Sequence, residues 1–577
     1  MFKFKKIKQN DLILLYQWFQ EPSINQWYAR GKYWSLEAIR EKYEPRILGK
    51  ENVPSFIIYK DEIPIGFIQY YQLEHAFPEG IHGQHNLLFK QYKQADLVGM
   101  DLFIAEGKRR GQGFGIKIIN QFIEDFLTTF SAIVVDPDML NSNAIRCYEK
   151  SGFIRTLFSE DPNYLVMVKQ GINPEVLREV KNLLQASFAT ELNIDSIHFL
   201  NEPERRNIVL RIALDSAKNG IPKNVILKQS LPEQSDEDDQ EAYARFARDW
   251  AGLEFLSSIP QPAHNVPKFY GASKQHRFIL IEDLGQQHVS LVDSLTVPDQ
   301  NKAIAALSRF MKALGSFHAS TYGHTEHYEK ILRRIHVNAE TTEDELDFAL
   351  KDLLPKLELA NRQLNLPVTQ PLIDEATDII TTMLKPSPFT VLTHGDICPD
   401  NVFDHDGQDL QLIDFEWSFV RNALLDGTYL RMSMPTCWCA KAIPLDVIES
   451  LEIIYREELK RTIPAASDDL VYSIAYTKAC GFWVLQQTLP FLEGILLQER
   501  VGPSGLVPEG SLWKPEDNTV RPRFLSRLQA FVDVASKQEM LPHLREMAKN
   551  MLTAIKKQWP DAKSLEFYPA WGQKSSE

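Results

Sequence analysis

The sequence predicts an α+β chain of two dissimilar domains: one that alternates strands and helices, then one that starts with strands and continues as helices. Three observations predict it. Residues 1–170 alternate short apolar runs with amphipathic segments. An Asn-Pro helix start follows at Asn173 and Pro174. From Pro298 onward the chain reads mostly as helix. At 577 residues the chain exceeds what one core usually organises. The boundary therefore falls near residue 172, giving domains 1–172 and 173–577.

The opening "MFKFKKIKQNDLILLYQWFQ" reads as a strand entering an amphipathic helix, since polar residues interrupt it too often for a leader segment. "PSFIIYKDEIPIGFIQYYQL" reads as a hairpin turning near Lys60 to Ile63. "ADLVGMDLFI" is a strand, "GIKIINQFIEDFL" a helix, "AIVVDP" a strand and "NSNAIRCYEKSGF" a helix, with "YLVMVKQ" closing the unit. "GINPEVLREVKNLLQASF" opens the second domain as a helix, followed by strands "NIVLRIALD" and "NVILKQS". The acidic run Asp236 to Asp239 reads as a solvated loop or helix start, where negative charge meets the helix dipole favourably.

The net charge of -14 argues against nucleic acid as a partner, because phosphate binding leaves a basic footprint. An acidic surface suits a cationic small molecule or serves solubility. No apolar run approaches the roughly 20 residues of a membrane span, so no membrane partner is expected and the location is read as cytoplasmic. The five cysteines are odd in number and lack paired C-x-x-C spacing. "CWC" at 437–439 offers two metal-capable thiols, but the reading adopted is two buried apolar thiols in a reducing compartment.

After the strand "LVGMDLFI" comes "AEGKRRGQGFGIKII", a glycine-rich loop running into a helix. Such a loop turns unpaired N–H groups toward an anion, and Lys108 to Arg110 add charge. A dinucleotide site competes, with Asp136 about 20 residues on as the ribose acid. Against it, Ile116 stands where the third fingerprint glycine or alanine belongs.

Arg110-x-x-Gly113-x-Gly115 resembles the acyl-CoA loop of the GNAT N-acetyltransferases. Together, "QWY", "PIGFIQYY", "GMDLFI", "GFGIKII" and "VVDPDMLNSNAIRCYEKSGF" resemble the aminoglycoside 6'-N-acetyltransferases over nearly all of residues 1–170. The resemblance implies a GNAT fold with acetyl-CoA as cofactor. Its pyrophosphate would rest on Arg109, Arg110, Gly111, Gly113, Phe114, Gly115 and Ile116, its pantetheine arm would pair along the strand ending at Ile104, and Asn143 would bond that arm. Asp101 is implied as the base that neutralises the amine, and Tyr148 as the acid for the leaving thiolate. Trp27, Gln69, Tyr71 and Asp136 match positions lining a pocket for a cationic aminoglycoside. Core packing is the competing reading for Trp27, Tyr71 and Tyr148, and helix capping by Asn141 or Asn143 for the asparagine.

Phosphoryl transfer needs charge neutralisation and an aspartate beside the attacking hydroxyl. "HGDICPDNVF" at 394–403 and "LIDFE" at 412–416 supply such residues, and resemble the signatures of the aminoglycoside phosphotransferase and choline kinase superfamily. That resemblance implies a bilobal protein-kinase-like fold, with an N-lobe over about 190–285 and a helical C-lobe over about 286–577, ATP or GTP and Mg2+, with Asp396 as base and Asn401 and Asp414 as metal ligands. Lys228 in "VILK" would meet the phosphates and pair with Glu254. "FILIEDLG" resembles the hinge, so the base would sit at Glu282 to Leu284. His318 in "FHAS" and Asp426 in "LLDGTYL" read as structural, and "LNEPERRNIVL" holds the place of the phosphate loop without its glycines. The combination predicts a bifunctional transferase for aminoglycoside antibiotics. The alternatives are the same chemistries on a cellular amino sugar or amino alcohol, or an acetyltransferase with a nucleotide-binding regulatory module.

Overall fold

The computed structural model describes residues 2–105, 113–201, 206–215, 220–233, 235–260, 265–405, 407–437, 439–499 and 519–572. The chain divides into two compact units, 1–243 with 270–280, and 244–269 with 281–577.

The first unit holds a seven-stranded sheet of β1 (Phe2–Lys6), β2 (Ser55–Lys60), β3 (Ile63–Gln72), β4 (Leu97–Ile104), β5 (Ala132–Val135), β6 (Ile154–Arg155) and β7 (Met167–Gln170), in the order β1-β2-β3-β4-β5-β7-β6. The hairpin, the central strand and the closing strand fall where the apolar alternation placed them. Pairing of β4 with β5 is parallel and spans only Leu97↔Ala132 to Gly99↔Val134, so the two strands diverge while β4 runs on to Ile104. One face is sealed by helix Phe114–Phe126, whose Ile118, Ile119 and Phe122 bury against Ile68, Val98 and Met100. The other face carries helices Leu12–Phe19 and Leu36–Ile47 over Ile57 and Phe67.

A second sheet, in the order β11-β12-β10-β9-β8, contains β8 (Asn193–Phe199), β9 (Asn207–Asp215), β10 (Asn224–Ser230), β11 (Phe269–Ser273) and β12 (Phe278–Glu282). Helix Pro174–Phe188 starts where Asn173 accepts a bond from the Glu175 N–H at 2.8 Å, and buries Val176, Val180 and Leu184 on that sheet. Helix Asp236–Ser258 begins with the acidic run. Asp239 is not simply solvated: it takes a two-pronged bond from Arg277 at 2.6 and 2.8 Å, and that hydrogen bond holds its carboxyl below the usual range. The sequence missed this because the arginine is 38 residues away.

The second unit is mostly helical, with helix Gln300–Thr321 packed along Leu445–Leu459. Two small ladders are set among the helices. β13 (Thr390–Thr393) pairs with β16 (Phe419–Asn422), and β14 (Val402–Asp404) pairs with β15 (Leu410–Leu412). Among the described residues no helix is long and apolar enough to cross a membrane.

Tyr71 and Gly99 face each other across β3 and β4. A Cβ at Gly99 would stand 2.4 Å from the Tyr71 ring, so Gly99→Ala is expected to destabilise the fold by about 1–3 kcal/mol. Urea unfolding of the substituted chain measures this, and the added Tyr71→Ala change should recover part of the loss.

Candidate functional sites

The first site grows from the β3–β4 register. Gln69 is paired with Asp101 across the ladder, so its amide reaches the Asp101 Oδ2 at 2.8 Å while accepting from Arg46 at 2.6 Å. Burial pushes the Asp101 carboxyl above its usual range, against the Gln69 bond and the charges of Lys42, Arg30 and Arg46. Asp136, just past the end of β5, accepts from the Gly80 N–H at 3.2 Å. Burial, and then the charge of Asp101, push it up to about 7. Two carboxyls are thus held above their usual range by burial, and the charge of one adds to the shift of the other.

Tyr148 is buried in the core against Phe153, with ring centroids 5.3 Å apart, and burial holds its phenol well above the usual value. The packing role weighed for it is therefore real, and its electrostatic coupling to Asp101 and Asp136 places it near the acids as well. Tyr71 likewise packs in the core. Trp27 ends helix Pro22–Trp27 half-buried. Asn141, not Asn143, caps helix Ser142–Lys150, by accepting from the Ala144 N–H at 3.1 Å; Asn143 is exposed on the first turn.

Ile104 ends β4, and Gly113 caps helix Phe114–Phe126 in the left-handed region, with Phe114, Gly115 and Ile116 in its first turn. Arg109, Arg110 and Gly111 lie outside the described residues. Arg46 and Lys42, which flank Asp101, were missed by the sequence reading, because nothing in a helix 55 residues upstream points at a strand aspartate.

The second site is held between the two ladders. The loop 394–401 joins β13 to β14, and the loop 413–418 joins β15 to β16. They meet where the His394 Nε2–H donates to the Ile413 carbonyl at 2.9 Å and the Ile413 N–H to the Asn401 carbonyl at 3.1 Å. Gly395 has φ 79°, and a Cβ there would stand 2.0 Å from the Trp417 carbonyl oxygen, so only glycine lets the loops approach. Beneath them, buried Asp426 accepts from the His394 N–H at 2.6 Å and the Gly395 N–H at 3.4 Å, and lies 3.2 Å from the His318 Nε2. Burial alone would raise its carboxyl, but the His318 bond and the nearby histidines outweigh that and hold it low.

Asp396 accepts from the Thr436 hydroxyl at 2.8 Å and from the Asn401 amide at 3.3 Å. Burial pushes its carboxyl up, Thr436 and His394 pull it down, and Asp400 and Asp414 raise it again. Asp414 takes φ 69°, an uncommon conformation for a non-glycine residue and one that favours a functional constraint. The neighbouring Phe415 N–H is fixed by Asp249 at 3.0 Å and the Glu416 carbonyl by Arg248 at 2.8 Å. Thr436, Asp249 and Arg248 were not read from the sequence, since no motif spacing links them to the loops.

Lys228 sits on β10 opposite Val209. Glu254 gives both oxygens to Arg334, at 2.7 and 2.6 Å, and one to the Trp250 Nε1–H at 2.8 Å. Both of these partners lie on helices of the second unit or on the Asp236–Ser258 helix itself. At the hinge the Glu282 N–H donates to the Lys268 carbonyl at 2.9 Å and the Leu284 carbonyl accepts from His405 at 2.9 Å. A cavity of 650 Å³ opens beside it, lined by Leu284, His288 and Asp404 among others.

Residues 8–157 match the acetyltransferase (GNAT) domain family. A kanamycin resistance protein of Rhizobium radiobacter is 33% identical over 78 residues, 12% of this chain and 72% of the relative. The chain belongs to the GNAT acetyltransferases. The aminoglycoside N(6')-acetyltransferases type 1 of Klebsiella pneumoniae and Serratia marcescens are each 28% identical over 169 residues, 28% of this chain and 80% of the relative. The solved structure of AAC(6')-Ib with coenzyme A and kanamycin is 26% identical, covering 31% of this chain and 98% of its own at a TM-score of 0.26. Residues 209–463 match the ecdysteroid kinase-like family, so this GNAT protein carries a kinase-like domain behind its acetyltransferase domain.

The cysteine reading is corrected. Cys398 and Cys437 form a disulfide, with Cα atoms 5.2 Å apart, and Cys439 lies buried beside them. The 39-residue separation hides the pairing from any spacing rule.

Removing Asp426 would leave two loop amides and His318 without their acceptor. Asp426→Ala is expected to cost about 3–5 kcal/mol at neutral pH, measured by urea unfolding. The Asp426 carboxyl is depressed in the folded state, so its contribution is complete above the unfolded value of about 3.9 and is lost as pH falls through the lower folded value. The gap between wild type and Asp426→Ala should therefore narrow on acidification through that range.

Proposed function

We propose that the chain is a bifunctional small-molecule transferase. The first domain, residues 1–172, transfers the acetyl group of acetyl-CoA to an amine, specifically the 6'-amine of a cationic aminoglycoside. The second, residues 173–577, transfers a phosphoryl group from ATP or GTP to a hydroxyl. The reading rests on one observation above the others: the coupled acids Asp101 and Asp136, in a domain whose curated relatives act on aminoglycosides.

In this reading the Asp101 carboxylate takes a proton from the ammonium, directly or through water, while Gln69 holds its Oδ2. The neutral amine attacks the acetyl carbonyl, the carbon–sulfur bond breaks, the Tyr148 phenol, kept protonated by burial, gives its proton to the thiolate, and the proton shed by the acylated nitrogen restores the phenol. Asp136, Tyr71 and Trp27 line the acceptor side. β4 beyond Gly99, where β5 leaves it, receives the pantetheine arm as a further strand, and the N-terminus of helix Phe114–Phe126 receives the pyrophosphate.

In the second domain Asp396 accepts the proton of the attacking hydroxyl, oriented by Thr436. Asn401 and Asp414 offer oxygen donors of the hard kind that suits Mg2+, and the Asn401 amide nitrogen, turned to Asp396, directs its oxygen away from that carboxylate. When bound, Mg2+ neutralises charge on the transferred group. Lys228 meets the phosphates and the Glu282–Leu284 segment the base. A cytoplasmic location suits both cosubstrates.

A second reading, a nucleotide-binding regulatory module in place of the kinase, is favoured by the lack of glycines in "LNEPERRNIVL", which holds the place of the phosphate loop. A panel of aminoglycosides, amino sugars and amino alcohols offered with acetyl-CoA, ATP and GTP separately, followed by product mass, decides between them. Asp101→Ala should remove acetylation and leave phosphorylation, and Asp396→Ala should do the reverse, each by at least about a hundredfold. Normal acetylation with no transfer from any nucleotide would select the regulatory reading.

The acid limb of acetyl transfer is expected near pH 7, because Asp136 must be ionised to hold the cationic acceptor and its carboxyl loses its proton only there. Asp101→Asn removes a charge that raises Asp136, so the Asp136 carboxyl should titrate lower in that variant. Carbon-13 NMR of labelled aspartate reads the shift directly.

A further inference from the structure

Cys398, Cys437 and Cys439 stand outside both reactions. Cys398 lies on the 394–401 loop, and the other two lie just beyond Thr436. One sulfur from each can be chosen so that all three fall within 4.8 Å of one another, and all three residues are buried. The Cys437 and Cys439 sulfurs are 2.9 Å apart, and the Cys439 N–H points at the Cys437 sulfur at 3.4 Å. Adjacent thiols of a C-x-C pair need no third partner to pack as apolar residues, yet the fold delivers one from a loop 39 positions away.

The charge around the cluster is the second, independent observation. Arg523 and Arg527 are 1% and 6% exposed. The Arg523 guanidinium donates to the Cys437 carbonyl, and Arg527 donates to the Pro435 carbonyl at 2.8 Å and the Met432 carbonyl at 3.2 Å. A disulfide is neutral and gains little from two buried cations. A thiolate cluster is anionic and gains much, because Coulomb attraction is strong where water is excluded.

We propose that the reduced cysteines form a three-thiolate site for one thiophilic monovalent metal ion, of which Cu+ is the probe. Thiolate sulfur selects soft ions over Mg2+ or Ca2+. Among the described residues no fourth cysteine, histidine or carboxylate joins the group, which suits a three-coordinate ion better than tetrahedral Zn2+.

The disulfide is the closed form of the site. Reduction by a phosphine or dithiol adds two electrons and two protons across the Cys398–Cys437 bond, and the uptake of Cu+ by three thiols then releases three protons. The site is continuous in sequence with the Asp396 loop and with Thr436, so the ion would tie together the two segments that meet at Asp396.

The test uses the full-length chain, reduced with a phosphine under anaerobic conditions. Cu+ is supplied from a bathocuproine disulfonate buffer and, in a parallel arm, Zn2+ from a chelator buffer. The expected result is one Cu+ per chain, with three of the five cysteines shielded from alkylation by intact mass and located at Cys398, Cys437 and Cys439 by peptide mapping. Cys398→Ser, Cys437→Ser and Cys439→Ser should each weaken retention by about a hundredfold. The protection measurement on the unsubstituted chain stands even if a variant fails to fold. Alkylation unchanged by Cu+ would overturn the site, and preferential retention of Zn2+ through the same cysteines would overturn the monovalent assignment. Neither outcome bears on whether the domains transfer acetyl or phosphoryl groups.

Discussion

The Asp426 carboxylate is the constraint on which the geometry of the two loops in the second unit depends. It is 2% exposed, and three donors converge on it: the His394 and Gly395 amides and His318. His318 is anchored in turn by the Tyr455 hydroxyl at 2.8 Å, and Tyr455 donates to the Ala423 carbonyl at 2.9 Å. A buried carboxylate is tolerable only when its lone pairs are taken up. Satisfying this one fixes the start of the loop that carries Asp396, and through His394 and Ile413 it fixes the loop that carries Asp414. The aspartate that looks least catalytic in the sequence thus sets the positions of the two that look most so.

The first domain solves the same problem with a sheet. Cross-strand register places Gln69 beside Asp101 and Tyr71 over Gly99. The acid pair and its neighbouring cations, Arg30, Lys42 and Arg46, then set the ionisation of the pocket. Both sites use burial to raise a carboxyl and one fixed hydrogen bond to orient it: Gln69 in one, Thr436 in the other.

Much of this was legible. Strand and helix periods placed β2 to β5 and the helices that follow them, because an apolar face repeats every two or 3.6 residues regardless of fold. The pairing of "HGDICPDNVF" with "LIDFE" marked the second centre because those loops must keep their own residues close in sequence. Arg334, the partner of Glu254, was hidden for the opposite reason. A helix glutamate can face several partners, and Arg334, 80 residues on, claims it.

What the sequence by itself determined is therefore local: the strands and helices, the glycine at the start of helix Phe114–Phe126, and the order Asp396, Asn401, Asp414. Each is written in neighbouring residues, whose spacing backbone geometry reads directly. Only tertiary structure decided what stands opposite each group: Arg46 and Gln69 at Asp101, Thr436 at Asp396, Arg334 at Glu254, and Cys398 at Cys437. Those choices depend on which distant segments the packed core brings together, and no period or motif in one segment encodes the identity of its partner.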